Sequence, residues 1–485
     1  MKLEPVIGME IHIELKTKTK MFCGCENGFG AEGEPNIHIC PICTGQPGSL
    51  PVINFEAVKM VLKTAQALHC HIPEFSKFDR KNYFYPDLPK GYQISQYDKP
   101  LSEKGFLEID GKKIRITRIH LEEDTGRLVH PAGSSHSLVD LNRAGVPLME
   151  LVTEADLRSS GQTKKFCQEL QLILRYLGVS DADMEKGQMR CEVNISLRQA
   201  GKETFGTKVE IKNLNSFRAV ERGIDYEIAR QSEALEFGEK IVQETRGWSD
   251  AKQMTVSQRS KEEAHDYRYF PEPDLPPLAP QKILGQIGSL PELPWERRER
   301  FAKEYNLPKE DIEVLVVKKE MGDYFESAVS ELRDWARVAE PKIEAEKLMK
   351  LTANYLITEL QKLLTQAGAD FEDIKITPEN YAEFIKLTAQ GVVSSSGAQS
   401  VLAEMFDKGA DPSHIIEDKG LAQVSDEEEL EKAVAEVISE NARPVGDYKK
   451  GKEKVLMFLV GKVMAKTKGR ANPQVVEEIL KKRLK

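Results

Sequence analysis

The chain has 485 residues, of which 40% are hydrophobic and 30% are charged, and its net charge is −9. At roughly 150 residues per domain, this length predicts about three domains with ample cores. The longest purely apolar stretch, residues 455–460, is far shorter than the ~20 residues that a membrane span needs, and Glu4 and Glu10 interrupt any secretion signal. We therefore exclude a membrane protein and a mostly disordered chain, and we expect a cytoplasmic protein.

Alternating polar and apolar residues predict a first strand at residues 6–15, with Glu10, His12 and Glu14 on one face. Two further alternating stretches, residues 190–198 and 208–212, flank a polar link and predict an antiparallel hairpin. Between these strands, apolar residues recur at helical spacing over residues 160–177, and Gly178 follows as a stop signal. The first part of the chain is therefore predicted to mix helices with strands.

Four of the seven cysteines lie within 21 positions as two close pairs, Cys23 with Cys25 and Cys40 with Cys43. In a reducing compartment, an odd count and close pairs indicate a metal rather than disulfides. Thiolates on two tight turns can complete a tetrahedron around one ion, which predicts a closed, structural zinc site. Four unliganded thiols are the alternative.

Two glycine patterns bear on nucleotide binding. Residues 28–33 match the dinucleotide-binding motif by letters, but no buried strand precedes them and no helix follows, so the match is discarded. A phosphate-binding loop of the form Gly, four residues, Gly-Lys-Ser/Thr is absent from the sequence. Any ATP site must therefore use another scaffold.

Acidic and histidine side chains recur on the predicted strands, namely Glu10, His12, residues 120–124 and Glu150. Carboxylates on one sheet face repel one another unless a cation or base neutralises them. Their hard oxygens favour Mg²⁺, whereas a histidine ligand suits Mn²⁺ or Zn²⁺ equally well. Taken alone, the pattern favours a solvated acidic surface over a metal site.

The hairpin presents a mixed-charge face, which could hold phosphate oxygens and a metal or could form exposed cross-strand ion pairs. Its residues are Arg190, Glu192, Asn194, Lys208, Glu210 and Lys212. A second segment, residues 79–96, is rich in aromatic, basic and amide groups. There Lys81 and Tyr83 could meet a nucleotide or polar substrate, although an ordinary packed loop is the alternative.

Seven prolines at residues 271–294 predict a linker without a helix or central strand. The chain beyond it is predicted to be helical, with a break at residues 391–397 and a last helix that begins at Asn472–Pro473. Residues 441–485 hold 13 Lys and Arg against four Asp and Glu, a local charge of +9. This basic block fits a polyanionic partner, and a solvated helical face is the alternative.

These segments together closely resemble the B subunits of the glutamyl/aspartyl-tRNA amidotransferases of bacteria, archaea and organelles. The similarity covers essentially the whole chain, and the matching stretches are residues 8–15, 79–96, 120–124, 142–148, 190–194 and 265–277. The resemblance implies an α+β protein. It has a large mixed-sheet cradle domain at residues 1–293, an all-helical domain at 294–403 and a small basic, tRNA-binding tail domain at 404–485.

The resemblance also implies a reaction. The side-chain carboxylate of Glu-tRNA(Gln) or Asp-tRNA(Asn) is phosphorylated with ATP and Mg²⁺, and ammonia then displaces the phosphate to give Gln-tRNA(Gln) or Asn-tRNA(Asn). The family's amidase-like A subunits release the ammonia from glutamine, and its small C subunits complete the heterotrimers. The sequence contains no nucleophile motif for glutamine hydrolysis, which agrees with a separate glutaminase subunit.

Residue roles follow by position in the family's motifs. The implied catalytic and Mg²⁺-binding residues are Glu10, His12, Glu123 and Glu150, with Glu122 and Asp124 as alternatives to Glu123. The implied nucleotide-binding residues are Lys81, Tyr83, Arg190, Glu192, Lys208, Glu210 and Lys212. Glu192 stands where many relatives have Asp. The four cysteines Cys23, Cys25, Cys40 and Cys43 would hold the zinc that some members contain.

Two other functions are compatible with the residues alone. The first is a zinc-stabilised tRNA-binding scaffold without catalysis, against which the sheet-face carboxylates argue. The second is a free-standing ATP-dependent ligase that joins ammonia to a small acid. The basic tail argues against the ligase, because a small substrate would have no use for it.

Overall fold

The structure is a computed structural model that describes residues 2–27, 33–131, 133–260, 266–338, 344–422, 427–450, 452–467 and 471–484. The chain divides into two compact units, Met1–Leu293 and Pro294–Lys485. The first unit carries the sheets and the second is built from helices, so the predicted α+β class is confirmed. The further division of the second unit at residue 403 stays a prediction. The glycine pattern at residues 28–33 lies largely outside the described residues.

An eight-stranded mixed sheet organises the first unit. The strands of this unit are β1 (Leu3–Glu14), β2 (Asp79–Asn82), β3 (Tyr92–Ser95), β4 (Ser102–Ile109), β5 (Lys112–Glu123), β6 (Arg127–Val129), β7 (Leu138–Asp140), β8 (Pro147–Thr153), β9 (Met189–Gln199), β10 (Val209–Leu214), β11 (Glu244–Ser249), β12 (Met254–Ser260) and β13 (Phe270–Pro271). The large sheet has the order β12-β11-β10-β9-β1-β8-β5-β4, and its neighbours are antiparallel except for the parallel pair β10 and β11.

The two faces of this sheet differ because side chains alternate along each strand. On β1, Met9, Ile11 and Ile13 are fully buried, as the alternation predicts. Helices α1 (Phe55–Ala67), α2 (Ser160–Tyr176) and α3 (Phe217–Glu236) contact the sheet. Apolar-face contacts include Cys191 on β9 with Cys167 on α2, whose sulfurs lie 3.9 Å apart. The opposite face is polar and remains available for a site.

Two sequence predictions in this unit are confirmed. The strands β9 and β10 pair antiparallel, so the hairpin forms as expected. Helix α2 begins after Ser159, whose side chain accepts a hydrogen bond from the Gln162 backbone NH, and the chain turns at Gly178 with φ +66°. This arrangement caps one end with a serine and ends the other with a left-handed glycine.

The prediction that no helix forms in the proline-rich segment is wrong. A short helix, α4 (Pro280–Leu284), lies within this segment. At the start of the segment, β13 pairs with β2. Pro280 stands at the first helical position, where the missing N–H costs no hydrogen bond. The stretch between Pro280 and Pro291 contains no further proline, so one turn of helix can follow.

A three-stranded sheet, β13-β2-β3, docks onto strand β5 of the large sheet. The Ile94 backbone NH donates to the Glu123 carboxylate at 2.9 Å, and the Gln96 side chain accepts from the Leu121 backbone NH at 3.1 Å. Lys90 also forms an ion pair with Glu123. These buried contacts hold the predicted aromatic segment, residues 79–96, above one side of the polar face.

The second unit is helical throughout its described residues. Its α-helices are α5 (Pro294–Tyr305), α6 (Lys309–Val317), α7 (Lys319–Val338), α8 (Ala345–Tyr355), α9 (Gln361–Ala367), α10 (Pro378–Ala389), α11 (Ser395–Lys408), α12 (Pro412–Asp418), α13 (Glu427–Glu440), α14 (Ala442–Lys449), α15 (Val455–Lys466) and α16 (Pro473–Leu484). The predicted break is shorter than expected, because α11 already begins at Ser395 behind a Ser394 cap.

The C-terminal helices share a small apolar core formed by α13, α15 and α16, which includes Val434, Leu459 and Leu480. The apolar run at residues 455–460 is buried only in part, because Met457 and Phe458 are exposed. Helix α16 begins at Pro473 as predicted. Among the described residues, no helix is both long enough and apolar enough to cross a membrane.

Candidate active site on the polar face of the large sheet

A cavity of about 890 Å³ lies on the polar face of the large sheet. Its floor is formed by β1, β8 and β5, one side by the hairpin β9–β10 with β11, and the other side by the small sheet. It is lined by every sequence-predicted catalytic and nucleotide-binding residue except Glu123, namely Glu10, His12, Lys81, Tyr83, Glu150, Arg190, Glu192, Lys208, Glu210 and Lys212.

Glu150 lies at the centre of the floor between two histidines. Strand register places His12 on β1 and His120 on β5 directly opposite Glu150 on β8. The Nε2 atoms of His12 and His120 lie 3.5 and 3.3 Å from Oε2 of Glu150. Glu10 and Glu122 complete the set, since ligand atoms of Glu10, His12 and Glu150, and of His120, Glu122 and Glu150, lie within 4.8 Å of one another.

Burial and charge act together on these groups. Burial lowers the pKa of His120, but the charge of Glu150 and a hydrogen bond to Glu122 outweigh it and raise the pKa to about 9. Burial raises the pKa of Glu10, and the neighbouring carboxylates Glu150 and Glu192 raise it further. For Glu150, burial acts in the same direction, yet the two histidines hold its pKa well below the usual value. The raised pKa of His120 favours its cationic form, which offsets part of the negative charge of these buried carboxylates.

The structure places Glu122 on the cavity floor, whereas the predicted ligand Glu123 lies outside the lining, and the metal-binding role of either residue stays a prediction. Glu123 is buried, and its carboxylate accepts from the Ile94 NH and pairs with Lys90 outside the cavity lining. Glu122 faces the floor, where Oε1 lies 3.6 Å from His12 Nε2 and Oε2 accepts from Ser95 Oγ at 3.0 Å. The reason is strand alternation, because residue 122 shares a face with His120 and residue 123 points the other way.

The hairpin side of the cavity is charged. Lys212 Nζ lies 2.8 Å from Glu192 and 3.7 Å from Glu210, and Arg190 donates to Asp124 at 2.8 Å. Burial lowers the pKa of Lys212, but the charges of Glu192 and Glu210 raise it more, so its ammonium is retained. Lys208 is exposed at the same wall. Cations of this kind can bind phosphate oxygens. Ligand atoms of Glu10, Glu192 and Glu210 lie within 4.8 Å of one another beside them, so these carboxylates could hold a metal ion.

The opposite side of the cavity is aromatic. Lys81 lies 5.0 Å above the ring of Tyr267, and Tyr83 meets the same ring edge-on at 5.8 Å. Tyr269 and Tyr97 continue this wall as a stacked pair. Burial lowers the pKa of Lys81, but the charge of Glu122 and its neighbours raises it, so the lysine stays cationic beside the floor.

The four predicted thiols form a cluster in the first unit. The sulfur atoms of Cys23, Cys25, Cys40 and Cys43 lie within 4.8 Å of one another, so they could hold a metal ion such as zinc. The Cys40 and Cys43 sulfurs are 3.8 Å apart, about the edge of a tetrahedron with Zn–S bonds of about 2.3 Å. The Cys40 backbone NH donates to the Cys43 sulfur at 3.0 Å.

A buried lysine supports this cluster. Lys20 is fully buried, and its ammonium donates to the carbonyls of His38 and Leu141 at 2.9 and 3.3 Å. A hydrogen bond from Cys23 lowers the pKa of Cys43 to about 4, and the charge of Lys20 contributes to this shift. Cys43 is therefore favoured as a thiolate, the form that binds metal, whereas the same hydrogen bond raises the pKa of Cys23.

Some cavity residues escaped the sequence prediction. Arg118, 3.5 Å from Glu150, and the pair Tyr267 and Tyr269 line the cavity but carried no predicted role. Arg118 could have been found from alternation, because it shares a face with His120. The tyrosines lie about 170 residues from Tyr97, and their meeting depends on the small sheet.

The chain matches two known protein families. Residues 5–284 match the family described as the GatB/GatE catalytic domain, and residues 337–484 match the GatB domain. The first match covers the unit that carries the cavity. The first unit therefore belongs to this catalytic-domain family.

Full-length relatives give a narrower placement. The chain resembles the aspartyl/glutamyl-tRNA(Asn/Gln) amidotransferase B subunits of Carboxydothermus hydrogenoformans and Thermotoga maritima. It is 49% identical to the first, over 99% of this chain and 98% of the relative. It is 48% identical to the second, over 100% of this chain and 99% of the relative. The chain therefore belongs to the family of aspartyl/glutamyl-tRNA(Asn/Gln) amidotransferase B subunits.

Replacing Lys20 by Met should destabilise the first unit by about 1–3 kcal/mol, because the hydrogen bonds from its buried ammonium to the half-buried carbonyls of His38 and Leu141 are lost. The matched control is Lys16→Met, since Lys16 is exposed and pairs with Asp181 at the surface, where a salt bridge contributes at most about 1 kcal/mol. Chemical denaturation monitored by fluorescence measures both variants. Equal stability of the two would contradict the structural role assigned to Lys20.

Proposed function

We propose that this chain activates the side-chain carboxylate of Glu-tRNA(Gln) or Asp-tRNA(Asn) by ATP-dependent phosphorylation, and that ammonia then converts it to the amide. The observation that carries this proposal is the buried carboxylate–histidine floor between a charged wall and an aromatic wall. The names of the full-length relatives support the tRNA substrates. A partner-supplied glutaminase provides the ammonia.

Activation is needed because a carboxylate is a poor electrophile, whose leaving group would be oxide. Transfer of a phosphoryl group forms a mixed anhydride from which phosphate can leave. This transfer requires charge stabilisation and in-line geometry more than covalent help from the protein. A protein nucleophile is therefore unnecessary for phosphorylation or amidation.

The floor would bind the metal ion and the hairpin would bind the phosphates of ATP. Glu10, Glu122 and Glu150 supply oxygen ligands for Mg²⁺, which neutralises phosphate charge when bound. His12 and His120 hold Glu150 in place, and after losing a proton their ring nitrogens would also admit Mn²⁺. Lys208 and Lys212, with Arg190, would bind phosphate oxygens along the charged wall.

We assign zinc to the four-thiol cluster and a structural role to that ion. Four protein thiolates close the coordination sphere, so no position is left for a reacting water. The cluster also lies outside the residues that line the cavity. Its effect on activity would come through the stability of the N-terminal loop.

Membership of the family supports proposals for the partner subunits and for the function of the basic tail. We propose that partners of two kinds, the family's amidase-like A subunits and small C subunits, complete a heterotrimer, and that the basic C-terminal helices contact tRNA. Six lysines of these helices are exposed, namely Lys449, Lys450, Lys452, Lys454, Lys462 and Lys466. Exposed lysines can contact the phosphates of a folded RNA that is recognised by its shape. Lys468 and Arg470, which belong to the same predicted rim, lie outside the described residues. Residence in the cytoplasm stays a prediction.

The test of the function is conversion of mischarged tRNA by the reconstituted heterotrimer. With ATP, Mg²⁺ and glutamine it should produce Gln-tRNA(Gln) from Glu-tRNA(Gln), Asn-tRNA(Asn) from Asp-tRNA(Asn), or both. Product and ADP should appear together. ADP formation that is independent of aminoacyl-tRNA, with no amide product, would reject the proposed reaction.

Glu122→Gln should reduce ATP-dependent amidation at least 100-fold and weaken Mn²⁺ binding, because a negative ligand is lost while the shape is kept. The control is the adjacent Glu123→Gln, which keeps an acceptor oxygen for the Ile94 NH and lies off the floor. It should change Mn²⁺ affinity by less than about threefold. Calorimetric titration with Mn²⁺ and steady-state kinetics measure these effects. A larger loss of Mn²⁺ affinity and activity in Glu123→Gln than in Glu122→Gln would restore Glu123 as the ligand.

Protein purified under reducing conditions without chelator should contain one zinc per chain. Cys43→Ser should lose this zinc and lower the thermal stability of the first unit, since metal binding and local folding are coupled. Cys70→Ser, outside the cluster, is the control and should keep the metal. Elemental analysis that finds no zinc in the wild-type protein would refute the assignment.

Substitution of Lys449, Lys450, Lys454 and Lys462 by alanine should weaken tRNA binding and flatten its dependence on salt, because fewer counterions are released. Substitution is preferable to truncation at Asn441, which would expose Val434 and its core partners on α13. Binding is measured by filter assay over a salt series.

The matched control removes four exposed lysines elsewhere in the same unit, Lys303, Lys309, Lys347 and Lys362. This variant has the same net charge as the tail variant. Equal affinities and equal salt slopes for the two variants would show that the tail is not the tRNA-binding element.

A further inference from the structure

Four tyrosines form a continuous array along one side of the cavity. Tyr83 and Tyr267 have ring centroids 5.8 Å apart, and Tyr267 and Tyr269 are 6.1 Å apart. Tyr269 and Tyr97 are stacked, with centroids 4.2 Å apart and planes inclined by 10°. All four line the cavity. Burial raises the pKa of Tyr269 to about 12, so its ring remains neutral.

Tyr97 forms the open end of this array. One face of its ring is covered by Tyr269, yet 61% of the residue is exposed. Its backbone is anchored, because its NH donates to the carboxylate of Asp79 at 3.0 Å, and Asp79 is itself buried and paired with Lys77. An exposed ring at the end of a stack is suited to receive one more flat ring, and nucleobases stack on such rings regardless of sequence.

The strand order separates the tyrosines from the charged wall. The wall of Lys212 and Glu210 belongs to β10, beside β9, whereas the small sheet with Tyr97 docks on β5. The floor strands β1 and β8 lie between β9 and β5 in the sheet. The cavity therefore has phosphate-binding groups on one side of the floor and stacking groups on the other.

In-line phosphoryl transfer requires attacking and leaving oxygens on opposite sides of the transferred group. If ATP phosphates occupy the charged wall, the attacking carboxylate must approach from the tyrosine side. Ser95, which donates to Glu122 on the floor, precedes Tyr97 by only two residues, so the open end of the array begins close to the floor. An aminoacyl group esterified to a ribose extends from the base toward such a floor.

We propose that Tyr97, backed by Tyr269, stacks on the terminal nucleobase of the aminoacyl-tRNA and so positions its aminoacyl carboxylate over the floor. This positioning role rests on the proposed function, because it takes the charged wall for the phosphates of ATP. The base of ATP has the same stacking chemistry. The experiment must therefore distinguish the two sources of a purine ring.

The test measures binding by the assembled complex with two RNA hairpins and with ATP. One hairpin mimics the acceptor stem and ends in a 3′-terminal adenosine, and the other ends in an abasic nucleotide. Tyr97→Ala should weaken binding of the intact hairpin about tenfold. It should leave binding of the abasic hairpin and of ATP within twofold of the wild type.

Tyr97→Phe keeps the ring and should retain the affinity for the intact hairpin, which guards against a general loss of folding. Phe237→Ala removes another exposed ring, 76% exposed and outside the cavity, and should change none of the affinities. If Tyr97→Ala weakens ATP instead, the ring binds the base of ATP and the proposal is overturned. Equal losses for both hairpins, or no loss for either, also overturn it.

Because these are binding measurements, their outcome does not depend on amidation. A base-specific loss in Tyr97→Ala together with an inactive wild-type complex would reject the proposed reaction and keep the acceptor-end site. An active complex without that loss would keep the reaction and reject the role of Tyr97.

Discussion

The site is organised by a buried anion, Glu150, held between His12 and His120. An isolated carboxylate in the interior would be strongly destabilising, so it requires charged or hydrogen-bonding partners. The antiparallel pairing of β8 with β1 on one side and β5 on the other supplies both histidines at directly opposite positions. The ionic set and the register of the central sheet are thus mutually dependent, because a one-residue slip would turn these side chains to the opposite face.

Strand alternation lets the same strands stabilise the fold and carry the chemistry. The apolar face of β1 is completely buried, while Glu10 and His12 between those residues reach the cavity. The neighbours Glu122 and Glu123 show the same division over a single peptide. Glu122 faces the floor, whereas Glu123 binds the Ile94 NH and Lys90 and so holds the small sheet against β5. A structural anchor and a candidate ligand therefore follow each other directly in the sequence.

Local features were predictable from the sequence and long-range ones were not. Alternation identified β1 and the β9–β10 hairpin, and the spacing of Cys23, Cys25, Cys40 and Cys43 identified the thiol cluster. Alternation would also have chosen Glu122 over Glu123, but the resemblance to relatives leaves that position ambiguous by one residue. The meeting of Tyr97 with Tyr269 depends on docking of the small sheet, which no local pattern encodes. Proline density argues against helix α4, yet the helix forms because Pro280 occupies the first helical position, where proline is tolerated.

We propose that the floor around Glu150 holds a divalent cation for phosphoryl transfer. The most direct measurement is anomalous scattering from crystals of the complex grown with Mn²⁺ and an ATP analogue. The account predicts a peak in contact with the carboxylate of Glu150, with Glu122 or Glu10 as a further ligand, and phosphates extending toward Lys212. Manganese could instead bind elsewhere in a catalytically competent crystal while the histidine–carboxylate pairs of the floor stay intact. That result would contradict the proposed cation site at Glu150.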